Sequence, residues 1–196
     1  MEYALSGVLG DVLRRLGETA GADMQADIFA PAEALRLKII SLLPAVGRRL
    51  IAGATADMLG GAENLKVESR MRKAACGLHA CLIPLPPDFV RLVSLRMRGW
   101  RRSVNELTVP ESDAYQRQWS EEAGIAGSPS RPMAYLCHEA GGPVIEAVGS
   151  VTAEDEAEHC LIWRAPAVGA DGNFSFPAAL YDGLVDSLVA EVSGMS

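Results

Sequence analysis

Apolar residues in the first third of the chain recur with the spacing of a helix. In residues 3–17 they fall three or four positions apart, on one stripe of a helix, and residues 30–54, "APAEALRLKIISLLPAVGRRLIAGA", repeat the pattern. Pro31 suits the first turn of this second helix, whereas Pro44 falls inside it and should kink the helix or divide it in two. The apolar positions of the two stripes are Leu5, Val8, Leu9, Val12, Leu13 and Leu16, then Leu35, Ile39, Leu42, Leu43, Val46 and Leu50.

Beyond residue 64 the spacing changes to that of short strands. Residues 65–74 and 77–85 fit a hairpin that turns at Cys76 and Gly77, although the pattern of residues 65–74 also fits a helix. Residues 89–100, "FVRLVSLRMRGW", alternate imperfectly between apolar and polar positions, which indicates a strand that bends or carries a bulge. Further strands are predicted at 133–140, 143–150 and 158–167, the first two joined by a turn at Gly141 and Gly142.

Two more helices are predicted in the second half of the chain. Residues 110–124 begin with a proline, carry acidic residues in the first turn and end on a glycine, which favours a short helix. A last amphipathic helix runs from Pro177 to about Val192. We therefore expect an α+β fold: N-terminal amphipathic helices, an antiparallel β-sandwich-like core with an inserted short helix, and a C-terminal helix. The expected segments are 1–60, 61–176 and 177–196, together forming one structural unit.

Composition and charge narrow the range of functions. The chain has 196 residues, 49% of them hydrophobic and 22% charged, as in an ordinary soluble globular protein. A net charge of -7 argues against nucleic-acid binding over the whole surface but leaves room for a local basic patch. The opening residues "MEYALSGVLGDVLRRLGE" lack the features of a signal peptide, and no window approaches the roughly 20 apolar residues that cross a bilayer. We expect a soluble protein that stays inside the cell and contacts no membrane.

Each histidine lies close to a cysteine in the sequence. His79 and Cys81 would share a face of a strand and offer two zinc ligands, but no CxxC pair accompanies them. Adjacent residues such as Cys137 and His138, or His159 and Cys160, point to opposite faces of a strand, so each pair supplies one ligand at most. Buried cysteines that act as small apolar residues explain the pattern more simply. We therefore expect neither a metal nor a cofactor, and a metalloprotein or hydrolase that uses these residues is a rival interpretation.

The sequence carries no recognisable catalytic motif. It contains no phosphate-binding glycine loop, no G-x-S-x-G nucleophile elbow and no H-E-x-x-H zinc helix. The acidic run "AEDEAEH", residues 153–159, lacks the glycine and the ligand spacing of a calcium loop, so we expect a solvated loop between strands. The chain is therefore predicted not to be an enzyme and to have no catalytic residues.

A tight turn is predicted where two strands meet at "LPPDF". This structural corner consists of Leu85, Pro86, Pro87, Asp88 and Phe89. The two prolines lack backbone donors and end the pairing of a strand, and Asp88 can accept hydrogen bonds from nearby amides. Phe89 is expected to anchor the turn in the core.

The densest basic stretch follows the corner. We define a candidate contact face by Arg96, Arg98, Trp100, Arg101 and Arg102. On a regular strand Arg96 and Arg98 would share a face with Trp100, where cation–π stacking can occur. Two interpretations are open: a surface that follows phosphates, or a solvated strand face whose arginines pair with acidic neighbours, including those of another subunit.

The stretch "LPPDFVRLVSLRMRGW", followed by "RSVNEL", "SDAYQRQW", "GIAGSPSRPMAYL" and "GGPVIEAV", resembles a group of tailed-bacteriophage virion proteins. These are head–tail adaptor, or connector ring, proteins of short-tailed and Bacteroides-type phages and prophages. The resemblance covers residues 30–190 or so, and its motif is the Leu-Pro-x-Asp-Phe-x-Arg-Leu block of the corner, with a tryptophan beyond it. It implies helices before the block, a short tyrosine-containing helix and more strands after it, and a closing helix.

The resemblance also implies a function without catalysis or cofactor. The expected protein is a virion structural subunit that forms a homo-oligomeric ring and joins the portal to the tail. Its partners would be further copies of itself, the portal and tail proteins, and DNA contacted non-specifically in a channel. Its expected location is the virion or the cytoplasm of the bacterial host. The rival is a bacterial β-sandwich module that binds carbohydrate or protein, which exposed aromatic residues such as Trp119 and Trp163 on one face would favour.

Overall fold

The computed structural model describes residues 1–20, 32–66, 70–73, 79–113, 128–149 and 156–194. The chain divides into two compact units, one made of Met1–Gly61 with Arg164–Ser196 and the other of Ala62–Trp163. Helices dominate the first unit and antiparallel sheets the second. The predicted α+β class, with helices at both ends of the sequence and strands between them, is confirmed.

Three helices form most of the first unit. They are α1 (Leu5–Ala20), α2 (Ala32–Gly53) and α3 (Tyr181–Ser193), and short 3-10 turns lie at Ala56–Met58 and Ala178–Leu180. Helix α3 packs on both α1 and α2. Their contacts bury many positions of the predicted stripes, at a gain of roughly 1.5–3 kcal/mol for each large aliphatic side chain, whereas Leu13 stays exposed. The buried residues include Val8, Val12, Ile39, Leu43, Leu184 and Leu188.

Helix α2 continues through Pro44 as a single helix. Of the two outcomes expected for this proline, division into two helices is therefore wrong. The prediction that α1 begins at Tyr3 is also wrong, because Glu2–Ala4 form a short strand, β1. Strand β1 pairs antiparallel with β9 (Asn173–Ser175), which lies between the strand predicted at 158–167 and the predicted last helix. Both strands are three residues long and their pairing is non-local, so neither has a strong local signal.

The second unit contains the strands β2 (Glu63–Asn64), β3 (Arg70–Lys73), β4 (His79–Pro84), β5 (Phe89–Met97), β6 (Met133–Glu139), β7 (Gly142–Val148) and β8 (Ala157–Arg164). They form two sheets. One has four strands in the order β3-β4-β7-β6 and the other three in the order β2-β8-β5. The predicted antiparallel pairing of β3 with β4 and of β6 with β7 is confirmed, whereas the expected turn at Cys76 and Gly77 lies outside the described residues.

A single apolar core joins the two sheets. Ile83 and Ile145 of the four-stranded sheet share one buried cluster with Leu95 and Ile162 of the three-stranded sheet, as expected of a sandwich-like core. The opposite face of the four-stranded sheet is buried too, with Tyr135 fully enclosed. Most of the short helix predicted at 110–124 lies outside the described residues.

None of the helices in the described part of the chain combines the length and the apolar character needed to cross a membrane.

Candidate functional site

The structural corner is a four-residue turn between β4 and β5. The amide of Phe89 donates to the carbonyl of Pro86 at 3.0 Å, which places Pro87 and Asp88 at the two central positions. Proline suits the first of these because its fixed φ matches the turn. The amide of Leu85 donates to the carbonyl of Pro143 at 3.0 Å, so the corner is also tied to the start of β7. The strand-ending turn predicted from the sequence is therefore present.

Leu85, and not Phe89, is the buried anchor of this corner. The side chain of Leu85 is 8% exposed and belongs to the sandwich core. Phe89 packs against the same core but is only partly buried, because it is the first residue of β5. The expectation that Phe89 anchors the turn is corrected accordingly.

Strand β5 does not alternate regularly. Leu92 and Leu95 both enter the core although they are three residues apart, so the two-residue repeat slips by one position between them, as in a bent or bulged strand. From Leu95 onward the odd-numbered residues point inward, and Met97 is fully buried. Arg96 therefore points outward, on the face opposite to Leu95 and Met97.

Arg96 pairs with Glu158 of the neighbouring strand β8, and Arg98 pairs with Glu156, which directly precedes that strand. Arg96 Nε lies 2.9 Å from Glu158 Oε2. The Nε–H bond does not point at this oxygen, so the contact is an ion pair without a hydrogen bond. Arg98 donates to Glu156 Oε2 at 2.8 Å, and its amide donates to the Glu156 carbonyl at 2.9 Å. These side chains are 40–72% exposed, so each pair contributes about 0–1 kcal/mol. The pairing with acidic neighbours considered for the basic stretch thus occurs within one chain.

Ser94 and His159 continue this row of cross-strand pairs. The hydroxyl oxygen of Ser94 lies 2.8 Å from His159 Nε2, and both side chains are partly buried. A serine beside a histidine is also the start of a nucleophile–base pair, which needs a third group to orient the imidazole. The described residues supply no such third group to His159. The contact is therefore best read as a hydrogen bond between strands.

Trp100 lies in the core and does not belong to the exposed contact face. It is 2% exposed, its amide donates to the Met97 carbonyl at 2.9 Å, and its indole N–H has no hydrogen-bond partner among the described residues. A Cβ on Gly149, whose φ is +142°, would lie 3.1 Å from Trp100 Nε1. The indole is therefore packed beneath the end of β7. The expected sharing of a face with Arg96 and Arg98 is wrong, because β5 ends at Met97 and the chain turns before Trp100, which points inward.

Arg101 and Arg102 remain exposed beyond Trp100. The amide of Arg101 donates to the carbonyl of Pro129 at 2.8 Å, which brings in a loop 28 positions further along the chain. This loop is closed by the amide of Arg131, which donates to the Ser128 carbonyl at 2.8 Å. Arg131 is exposed as well. Sequence reasoning missed Arg131, because only a non-local hydrogen bond reveals that it lies near the basic stretch.

Of the cysteine side chains that the structure describes, two lie in the core. Cys81 and Cys160 are fully buried, and burial raises the pKa of the Cys160 thiol to about 12, so this thiol stays protonated and unreactive at neutral pH. Cys137 Sγ lies 3.5 Å from Glu146 Oε2, a carboxylate that is fully buried. Within the described residues, no three histidine, cysteine, aspartate or glutamate side chains are placed to hold a metal ion.

No family model, no curated protein and no solved structure matches the chain. The site is therefore described by its own contacts: a fixed corner at one end of β5, two neutralised arginines along it, and three exposed arginines at its other end. The corner therefore holds the backbone in a fixed conformation, and the exposed arginines place positive charge on the surface.

Proposed function

We propose that the chain is a non-enzymatic virion structural protein, a head–tail adaptor whose copies form a ring that joins the portal to the tail of a tailed phage or prophage. The observation that carries this proposal is the structural corner. The Leu-Pro-Pro-Asp-Phe block forms the turn that enters β5, and β5 leads to the buried Trp100. Helices precede this block and a helix closes the chain, which is the layout that the resemblance implies.

The physics of the corner supports a scaffold role. Its backbone is fixed by the hydrogen bond from Phe89 to Pro86 and by the one from Leu85 to Pro143. Pro87 adds a rigid φ, and the buried Leu85 ties the turn to the core. Such a turn keeps two strands in a constant orientation, which suits a subunit that repeats one contact around a ring.

The first unit, in which helices dominate and which we call the helical unit, offers surfaces for contacts between subunits. Leu13 of α1 is 39% exposed and Leu37 of α2 is 58% exposed. Lys38 and Arg49 of α2 both reach α3, at the carbonyl of Val192 and the carboxylate of Glu191, so the apolar residues sit on helices that are held in place. Single exposed leucines are common on monomers, so they mark candidate contacts and not a site by themselves.

The carbohydrate- or protein-binding module is the second candidate. It requires aromatic side chains exposed on one face, and the structure gives it little support. Trp163 is 3% exposed and Trp100 is 2% exposed, so neither can stack on a sugar ring. Trp119 lies outside the described residues.

The neighbourhood of the gene gives an inexpensive test. We expect genes for a portal, a terminase and a capsid protein beside it, since the parts of a virion are encoded together. A gene cluster for sugar utilisation would contradict the adaptor and favour the binding module.

A further inference from the structure

Arg101 and Arg102 lie at the tip of a closed hairpin. Leu95 and Val104 exchange both backbone hydrogen bonds, each at 2.8 Å, and so close the base of the hairpin. Between them, the amide of Trp100 donates back to the Met97 carbonyl and the indole is buried. The backbone that carries Arg101 and Arg102 is therefore fixed, although their side chains reach into solvent.

Arg131 is brought to the same tip. A Cβ on Gly149 would lie 3.1 Å from Trp100 Nε1 and 3.2 Å from the Cα of Pro132, so Trp100 and Pro132 both pack close to Gly149. Arg101 follows Trp100 and Arg131 precedes Pro132 in the chain. The hydrogen bond from the Arg101 amide to the Pro129 carbonyl, 2.8 Å long, joins the two segments directly. We call Arg101, Arg102 and Arg131 the arginine tip.

The arginine tip carries positive charge that no acidic side chain in the described part of the protein neutralises by an ion pair. Glu158 and Glu156 already pair with Arg96 and Arg98, whereas within the described residues no side chain of the arginine tip has a hydrogen bond or an ion pair. Glu106 is the nearest acidic residue in sequence, and it lies on the returning limb, two residues past the base of the hairpin. In a chain of net charge -7, this is a local surface of opposite sign.

We propose that the arginine tip binds the phosphate backbone of double-stranded DNA. Each of the three guanidinium groups is planar, and its N–H donors match the geometry of phosphate oxygens. The backbone segments that carry them are already fixed by hydrogen bonds and do not have to become ordered on binding. Single-strand binding also uses aromatic stacking, and Trp100 is buried and unable to provide it. The contact therefore carries no base recognition and depends on salt. The proposal does not require that the chain form a ring.

The test is fluorescence anisotropy of a labelled DNA duplex with the full chain at several salt concentrations. The variant replaces Arg101, Arg102 and Arg131 with glutamine, and the control replaces Arg14, Arg36 and Arg49, which removes the same charge from the helical unit. Contacts of three arginines with three phosphates give a salt slope of about -2.7, so a fourfold rise in salt weakens binding about 40-fold. We expect the first variant to lose this slope and its affinity, and the control to keep both. Thermal unfolding confirms that each variant is folded.

Three results would overturn the proposal. The unchanged chain could fail to bind the duplex even at low salt. The two triple variants could lose affinity equally, which would make binding an effect of total charge. Polyglutamate could bind as tightly as the duplex and be lost in the same variant, which would assign the arginine tip to an acidic protein partner instead.

Discussion

Gly47 of α2 lies directly against the ring of Pro166: a Cβ at residue 47 would be 2.2 Å from Pro166 Cγ and 2.6 Å from its Cδ. The proline ring cannot rotate away as a flexible side chain would. Only glycine therefore fits this position, although glycine is a poor helix former. The contact fixes the segment that follows β8 against the middle of α2.

We predict that Gly47→Ala destabilises the protein by about 1–3 kcal/mol, the usual cost of forcing extra volume into a packed site. Gly10→Ala is the matched control, because Gly10 is also helical and its added methyl group would meet nothing within 4 Å. The control should gain up to about 1 kcal/mol from helix propensity. Urea denaturation of the two variants measures the difference. Equal stability of the two would show that the contact with Pro166 is not tight.

A second glycine is required where Trp100 meets the end of β7. Gly149 has φ +142°, and a Cβ there would lie 3.2 Å from the Ser128 carbonyl as well as close to the indole. We predict that Gly149→Ala costs about 1–3 kcal/mol from backbone strain. It should also shift the fluorescence of Trp100. Gly141→Ala is the control, since its methyl group would lie in open space, and a similar loss in both variants would refute this explanation.

Truncation of Leu85 should destabilise the protein more than truncation of Phe89. We predict that Leu85→Ala costs about 2–5 kcal/mol, as for a buried leucine, whereas the partly exposed Phe89 costs less when it is truncated to alanine. Guanidinium denaturation of both variants tests the order. A larger loss for Phe89→Ala would restore the aromatic ring as the anchor and contradict the burial described above.

The environment of Tyr181 predicts that the folded protein loses stability at alkaline pH. Burial, together with the hydrogen bond from its hydroxyl to Asp11 Oδ2 at 2.8 Å, raises the pKa of Tyr181 to about 12 from the ordinary value of 10.0. The unfolded chain therefore releases this proton first. The contribution of Tyr181 is complete below pH 10 and is lost as the pH rises through about 12.

Tyr181→Phe tests this prediction, because phenylalanine keeps the ring that stacks on Tyr3 at 4.5 Å but has no titrating proton. We expect the variant to be less stable at neutral pH, since Asp11 loses a hydrogen-bond donor, and to show a smaller decrease in stability between pH 10 and 12. Thermal unfolding across this range is the measurement. An unchanged alkaline slope would mean that other groups cause the loss.

Local patterns were sufficient to predict α1, α2 and α3 and the antiparallel pairing of β3 with β4 and of β6 with β7. The helical stripes containing Val8 and Ile39 were visible because they repeat within one element, and the hairpin of β6 and β7 follows from a glycine pair. The corner was also predictable, since proline at the first central position of a turn acts locally.

Features that depend on distant parts of the chain were missed. The pairing of β1 with β9 and the position of Arg131 beside Arg101 both rest on non-local backbone hydrogen bonds. The direction of Trp100 was wrong because β5 ends at Met97, and the turn closed by the hydrogen bond from the Trp100 amide to the Met97 carbonyl places the indole in the core. The sequence suggested an irregular strand but did not show that it ends before Trp100.

Electron microscopy of this chain mixed with the portal protein of the same phage or prophage tests the adaptor function most directly. We predict a closed ring made of copies of this chain, seated on the tail-facing side of the portal. The portal alone is the control, and the ring must be absent from it. An assembled portal that carries no density for this chain, even when the chain is folded and in excess, would contradict the proposed function.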